Sequence, residues 1–310
     1  MRRDRTLPPS SMSLQLTTRC RYRSGVTSDS EATSDRTSTN VVHDEPRFGG
    51  DRSMTGRVAV IAGVGDGIGA AAALALAADG ADLVLGARDE DRLERVAERV
   101  RSLGRSVRTV RTDITDSVQA RRLVDTAVEA FGRLDAVVNV AASSGPPAPV
   151  EHFDAETFRR SFEVNVIGTL QVSSAAVPHL RATGGGAIVQ ISALSAHTRL
   201  PTLADYTASK SALVTASLTL ANEVGRDGIR VNVVVPGYTA GEGLDRYLDA
   251  QAERRGITRA EVDAQILRSS ALRRFPDPSD MAEAVLYLAS ERSRAVTGQL
   301  LHVNAGEWVP

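Results

Sequence analysis

Apolar and polar positions alternate in blocks along most of this chain. Short apolar runs predict strands over residues 57–62, 82–87, 107–112, 134–140, 187–192, 229–235 and 299–304. Between them lie segments of helical spacing, 67–79, 89–103, 118–131, 155–181, 208–224 and 279–290. The second carries Leu93, Val96, Val100 and Leu103 on one stripe and runs into Gly104, a natural stop. Strands so continuously apolar are buried on both faces, as in a parallel sheet covered by helices. The pattern predicts an α/β fold with a doubly wound, seven-stranded, mainly parallel sheet, built as a single domain over residues 54–310.

Residues 1–53 break the pattern. They are rich in Ser, Thr, Arg and Asp without a sustained period, and are expected to be a disordered N-terminal extension, because they offer too little apolar surface to offset ordering. The stretch through Arg23 has Asp4 as its one acid and faintly suggests a transit peptide, but it lacks the apolar core of a secretory signal. Met54, directly before the first strand, reads as a start position, which would leave the extension functionally idle.

Charge narrows the partners. The 37 basic and 38 acidic residues leave a formal net charge of −1, which argues against a nucleic-acid or anionic-membrane binder. No apolar run approaches the ~18 residues of a membrane span. One cysteine, Cys20, and five scattered histidines offer no disulfide framework and no metal site. A cytoplasmic protein acting on a small molecule is expected.

The first strand runs into Gly63-Val64-Gly65-Asp66-Gly67-Ile68-Gly69 and then a helix. Glycines there let backbone amides approach a pyrophosphate, and the helix N-terminus adds the positive end of its dipole. Gly65, Gly67 and Ala70 fit one dinucleotide spacing; Gly63, Gly67 and Gly69 fit another. The next strand ends Gly86-Ala87-Arg88, where an acid would bind the ribose 2′-hydroxyl of NAD. Ala87 cannot do this, whereas Arg88 can pair with a 2′-phosphate, so NADP(H) is favoured and NAD(H) is the alternative. Asp66 weighs against a phosphate. Asp113, after the third strand, can accept from an adenine amino group or cap the following helix.

All but one of the 37 basic residues are arginine; the exception is Lys210, four residues after Tyr206. With five tyrosines in 310 residues, that spacing arises by chance roughly one time in sixty. Four residues apart on a helix, the two side chains share a face. A phenol is a poor acid–base group at neutral pH unless a cation favours its phenolate, and an ammonium is the more tunable cation.

These segments together resemble the short-chain dehydrogenase/reductase family over residues 57–310, its single-domain ketone-reductase branch in particular. The glycine turn matches residues 62–69, a degraded Asn-Asn-Ala-Gly appears as Asn139-Val140-Ala141-Ala142, and the helical asparagine matches Asn165. Tyr206 and Lys210 match Tyr-x-x-x-Lys, Pro236-Gly237 follows the sixth strand, and Thr297 to Gly306 matches the closing motif. The resemblance implies a Rossmann-type fold and hydride exchange between a nicotinamide and a ketone or secondary alcohol. It makes Tyr206 the general acid/base, gives Lys210 the tasks of lowering the tyrosine's pKa and binding the nicotinamide ribose, and has Asn165 hold a relay water. Cofactor contacts are expected at Gly63, Gly65, Gly67, Ile68, Gly69, Arg88, Asp113, Asn139, Tyr206, Lys210, Pro236, Gly237 and Thr239. A homo-oligomer, tetramer or dimer, is implied as well.

The chain also departs from the family. The catalytic serine position, thirteen residues before the tyrosine, is Ala193. Ser192 points to the other strand face, and Ser195 lies two residues on, where strand alternation favours it as a substitute. Thr239 falls two residues earlier than the family's threonine often does, and His197 reads as a loop residue near the cleft. Residues 238–275 form a charged helical insert where the family carries its substrate lid, with Thr258 and Glu261 predicting a capping box for a helix through Arg268. Because of Ala193, a non-catalytic nucleotide-binding or regulatory protein is the alternative.

Overall fold

The computed structural model describes residues 53–198 and 200–307; the expectations for residues 1–53 therefore lie, Ser53 apart, outside the described residues. The described chain alternates strand and helix. Strands β1 (Val58–Ala62), β2 (Asp82–Ala87), β3 (Val107–Arg111), β4 (Ala136–Asn139), β5 (Gly186–Ile191), β6 (Ile229–Pro236) and β7 (Leu300–Val303) form one sheet in the order β3-β2-β1-β4-β5-β6-β7. Every pairing is parallel. From β1, beside the central strand β4, the chain winds to the β3 edge and returns to β4, so β1 and β4 flank a switch point. That is where an open α/β sheet leaves a crevice beyond its strand ends.

Strand alternation divides the core between two layers. Ala59 and Ile61 of β1 pack against α1 (Ile68–Ala78), α2 (Glu90–Ser102) and the last helix, while Val58, Val60 and Ala62 face the opposite layer. That second layer is α3 (Ser117–Phe131) and two later helices, α5 and α7, described below. α1 is built almost wholly of alanine and leucine and is apolar all round, as suits a helix covered on both sides. Asp89 and Asp116 cap α2 and α3 by accepting from their first-turn amides, and Gly80 at φ +107° ends α1.

Two stretches differ from the sequence reading. Residues 155–181 are not one helix but α4 (Ala155–Phe162), a π-helical segment (Glu163–Gly168) and α5 (Thr169–Ala182). A residue inserted into one turn leaves the overall period nearly intact, so the pattern could not register it. After β5 comes a short helix α6 (Ser195–Thr198), and then α7 spans Ala204–Val224 rather than starting at 208. Leu203 offers no side-chain cap, so nothing in the sequence marks that start.

The insert after β6 folds as α8 (Glu242–Arg255) and α9 (Arg259–Ser269), followed by α10 (Pro278–Ala289). The Thr258–Glu261 capping box forms as expected. Leu248, Ala252 and Val262 make a small separate core. Arg259 of α9 pairs with Asp245 and Asp249 of α8, both at 2.8 Å, and with Asp263 one turn on in its own helix at 2.7 Å.

Candidate active site

The glycines of the β1–α1 turn divide into two kinds. Gly63 sits at φ +101°, and a Cβ there would stand 2.2 Å from the Ala141 nitrogen; one on Gly69 would stand 2.6 Å from the Gly63 oxygen. These two exist for close packing. Gly65 and Gly67 have nothing within 4 Å of a built Cβ, because both face a cleft of about 1180 Å³. No side chain caps Gly67 at the head of α1. Open amides at a helix N-terminus, with space where side chains would stand, fit a pyrophosphate.

The cleft continues past Ala87, Arg88, Arg92 and Asp113. Asp66 does not face it as a bare charge: it pairs with Arg92 at 3.1 Å and Arg95 at 3.8 Å. Asp113 does not cap α3, which Asp116 does; its Oδ1 instead accepts from the Thr115 amide and hydroxyl at 3.0 and 2.7 Å. Burial opposes ionisation of Asp113, but those bonds and the nearby Arg88 and Arg160 outweigh it and hold the carboxyl below its usual range. The Asn139 side chain is buried and donates to Ser173 of α5 at 3.1 Å, and the cleft wall beside it is Val140, Ala141 and Ala142. The strand places its side chain on the face that packs on α5, so it steadies the wall from behind.

Val140, Ala142 and Gly243 line both this cleft and a second pocket of about 350 Å³, so the two open into each other. Tyr206 and Lys210 line the second pocket, with Ile68, Pro236, Gly237 and Thr239. The Lys210 ammonium donates to the Ile191 carbonyl at 2.8 Å and lies 5.8 Å from the centre of the Tyr206 ring. Burial pushes the Tyr206 phenol up to about 12 and Lys210 down to about 7. Desolvation is the cause in both, so the lysine does not by itself bring the phenol toward neutrality.

Asn165 sits in the π-helical segment, fully buried. Its Oδ1 accepts from the Ser143 amide at 2.7 Å, and its Nδ2 donates to the Ser143 carbonyl and the Ser209 hydroxyl, both at 2.8 Å. Ser209 in turn donates to the Tyr206 carbonyl at 2.8 Å, so Asn165 braces the cleft wall against the turn that presents Tyr206. Asp205, which the sequence reading missed, does similar work, accepting from the Gly145 amide at 2.8 Å and the Ser161 hydroxyl at 2.6 Å.

Ser192, Ala193 and Ser195, all just past β5, resolve differently. Ala193 lines the pocket and offers no donor. Ser192 donates to the Lys210 carbonyl at 3.3 Å. Ser195 is 5% exposed and lines the pocket, and its hydroxyl meets no partner among the described residues. His197 lies outside the pocket lining and packs its ring on His302 at 5.2 Å.

A family model described as enoyl-(acyl carrier protein) reductase matches residues 63–307. The chain belongs to the short-chain dehydrogenase/reductase family. It is 40% identical over 256 residues to an uncharacterized oxidoreductase of Methylorubrum extorquens, covering 82% of this chain and 98% of the relative. Among solved structures, L-sorbose reductase from Gluconobacter frateurii complexed with NADPH and L-sorbose is 30% identical with a TM-score of 0.78, covering 84% of this chain and 99% of that one. NAD+-bound xylitol dehydrogenase is 29% identical with a TM-score of 0.77, covering 81% and 98%. This short-chain dehydrogenase/reductase is an oxidoreductase that moves hydride between a nicotinamide cofactor and an alcohol or ketone carbon. Nothing among these relatives favours a non-catalytic nucleotide binder.

Proposed function

We propose that this enzyme works on a ketone/secondary-alcohol pair with Tyr206 as the proton donor and acceptor. The observation that carries the reading is the continuity of the glycine cleft with the Tyr206 pocket through Val140, Ala142 and Gly243. A dinucleotide along the cleft would rest its pyrophosphate on Gly65 and Gly67 and reach the pocket with its other end, near Ile68, Pro236, Gly237 and Thr239. When bound, the nicotinamide supplies or accepts the hydride.

In reduction, the Tyr206 hydroxyl gives its proton to the carbonyl oxygen as the carbon is reduced; oxidation runs the transfer backwards. Lys210, fixed by its bond to Ile191, places an ammonium beside the phenolate that forms and would hold the ribose. Asn165 positions the Tyr206 turn and is the expected anchor of a relay water. Ser195 takes the donor role that Ala193 leaves vacant, since the residue lines the pocket and its buried hydroxyl has no competing partner among the described residues. NADP(H) is the preferred cofactor: Arg88 stands at the end of β2, where Ala87 offers no carboxylate, and Arg92 and Arg95 of α2 offset Asp66. Residues 238–275 act as the substrate lid of the domain at 54–310, and the protein works as a cytoplasmic homo-oligomer, tetramer or dimer.

Replacing the acid tests the reading. Tyr206→Phe should lower turnover of a ketone by about 10³-fold or more while cofactor still binds. Retained turnover in that variant would remove Tyr206 from the chemistry.

A further inference from the structure

Among the described residues that line the substrate pocket, two carry charge, Lys210 and Glu307. Lys210 is committed to Ile191 and Tyr206, whereas the hydride transfer gives Glu307 no task. The chain reaches the pocket wall through Gly306, at φ +74°, in a turn anchored by the bonds of Ala271 to the Gly306 carbonyl and Leu272 to the Ala305 carbonyl. The carboxylate then lies over the backbone after β6. Its Oε2 accepts from the Tyr238 amide at 3.3 Å, and a Cβ on Gly237 would stand 2.7 Å from that same oxygen. Glycine at 237 therefore makes room for the carboxylate, apart from any part it has in cofactor binding.

No arginine, lysine or histidine forms an ion pair with Glu307 among the described residues. Burial pushes its carboxyl up, and the Tyr238 amide only partly offsets this. The neighbouring wall is largely apolar: Tyr238 and Tyr247 stack at 6.0 Å, with Leu244 beside them on α8. A carboxylate set in such a wall with one long hydrogen bond is costly unless a ligand completes its coordination.

We propose that Glu307 receives a hydrogen-bond donor carried by the substrate away from the reacting carbon. The preferred substrates are then apolar cyclic ketones or alcohols bearing a second, donating group, a hydroxyl or an ammonium, and those bearing a carboxylate there are rejected. The inference rests on hydride transfer beside Tyr206 and adds the distal half of the site.

The test compares four ketones, cyclohexanone and its 4-hydroxy, 4-amino and 4-carboxy derivatives, in the wild-type enzyme and in Glu307→Leu and Glu307→Gln. The wild type should favour a donor-bearing ketone over cyclohexanone by about tenfold or more in kcat/KM and place the carboxylate last. Glu307→Leu should level the ranking. Glu307→Gln, which keeps the contact with Tyr238, should retain a hydroxyl preference but lose an ammonium preference, and so separates the two donors. A ranking that is the same in all three proteins overturns the inference, as does a wild type that prefers cyclohexanone or the carboxylate. A fall in cofactor affinity with an unchanged ranking reassigns Glu307 to the cofactor and overturns it too. If the wild type turns over cyclohexanone and the derivatives alike, hydride transfer stands and only Glu307 fails; if it turns over none, the reading of the whole site fails and the inference falls with it.

Discussion

The crevice end of the sheet has two halves that are specified in different ways. Around β1, β2 and β4, the site is backbone: Gly63 is required by its φ and by Ala141, Gly69 by the Gly63 carbonyl, and Gly65 and Gly67 by the open cleft. Around β5, β6 and β7, the site is side chains delivered from distant segments: Ser195 from α6, Tyr206 and Lys210 from α7, Tyr247 from α8 and Glu307 from beyond β7. Backbone geometry tolerates few residue types, so the glycine turn stays close to the family pattern. The second half keeps its tyrosine and lysine and changes what stands beside them, as Ala193 shows.

Paired glycine substitutions sharpen that contrast most. Gly63→Ala puts a methyl 2.2 Å from the Ala141 nitrogen at a φ of +101°, and should cost about 3 kcal/mol or more in unfolding free energy. Gly65→Ala meets nothing within 4 Å, so its melting temperature should hardly move, while cofactor affinity falls by about tenfold. Denaturant unfolding and fluorescence titration separate the two outcomes; equal losses of stability would break the division between packing and cradle glycines.

The pH dependence probes the other half. Lys210, held near 7, loses its ammonium as pH rises through that value, while Tyr206, near 12, keeps its proton. Reduction needs both protons on the pair, so its kcat/KM should fall by about tenfold per pH unit above roughly 7. Oxidation needs one proton fewer and should rise to that pH and then level off. Lys210→Met should abolish the break; a break that survives the substitution belongs to another group.

Cofactor choice is the smallest effect. Asp66→Asn removes the charge that Arg92 and Arg95 now offset, and should raise the NADPH-over-NADH affinity ratio by about threefold. Tighter NADH binding by the unaltered protein would make Asp66 the dominant charge at that end of the cleft.

What the sequence made legible follows the same division. The seven strands, the glycine turn and the Tyr206–Lys210 pair are local patterns, and each survives as a pattern in the fold. The motif at Asn139 says where the chain is but not which face the side chain takes; burial against Ser173 decides that. The inserted turn at Glu163–Gly168 and the start of α7 leave no periodic or capping trace. Asp205 had only its place beside Tyr206 to recommend it. Glu307 had no signal, since its contact with Tyr238 joins residues 69 positions apart.

The central claim is that a relocated hydroxyl serves Tyr206 in place of the family's serine. It is tested most directly by kcat on one ketone for Ser195→Ala and for Ser195→Ala combined with Ala193→Ser. The account predicts that the single substitution slows turnover by about 10²–10³-fold with cofactor affinity unchanged, and that the second restores at least about tenfold of it. A Ser195→Ala enzyme within about twofold of the original rate, or no recovery on adding the serine at 193, would contradict it.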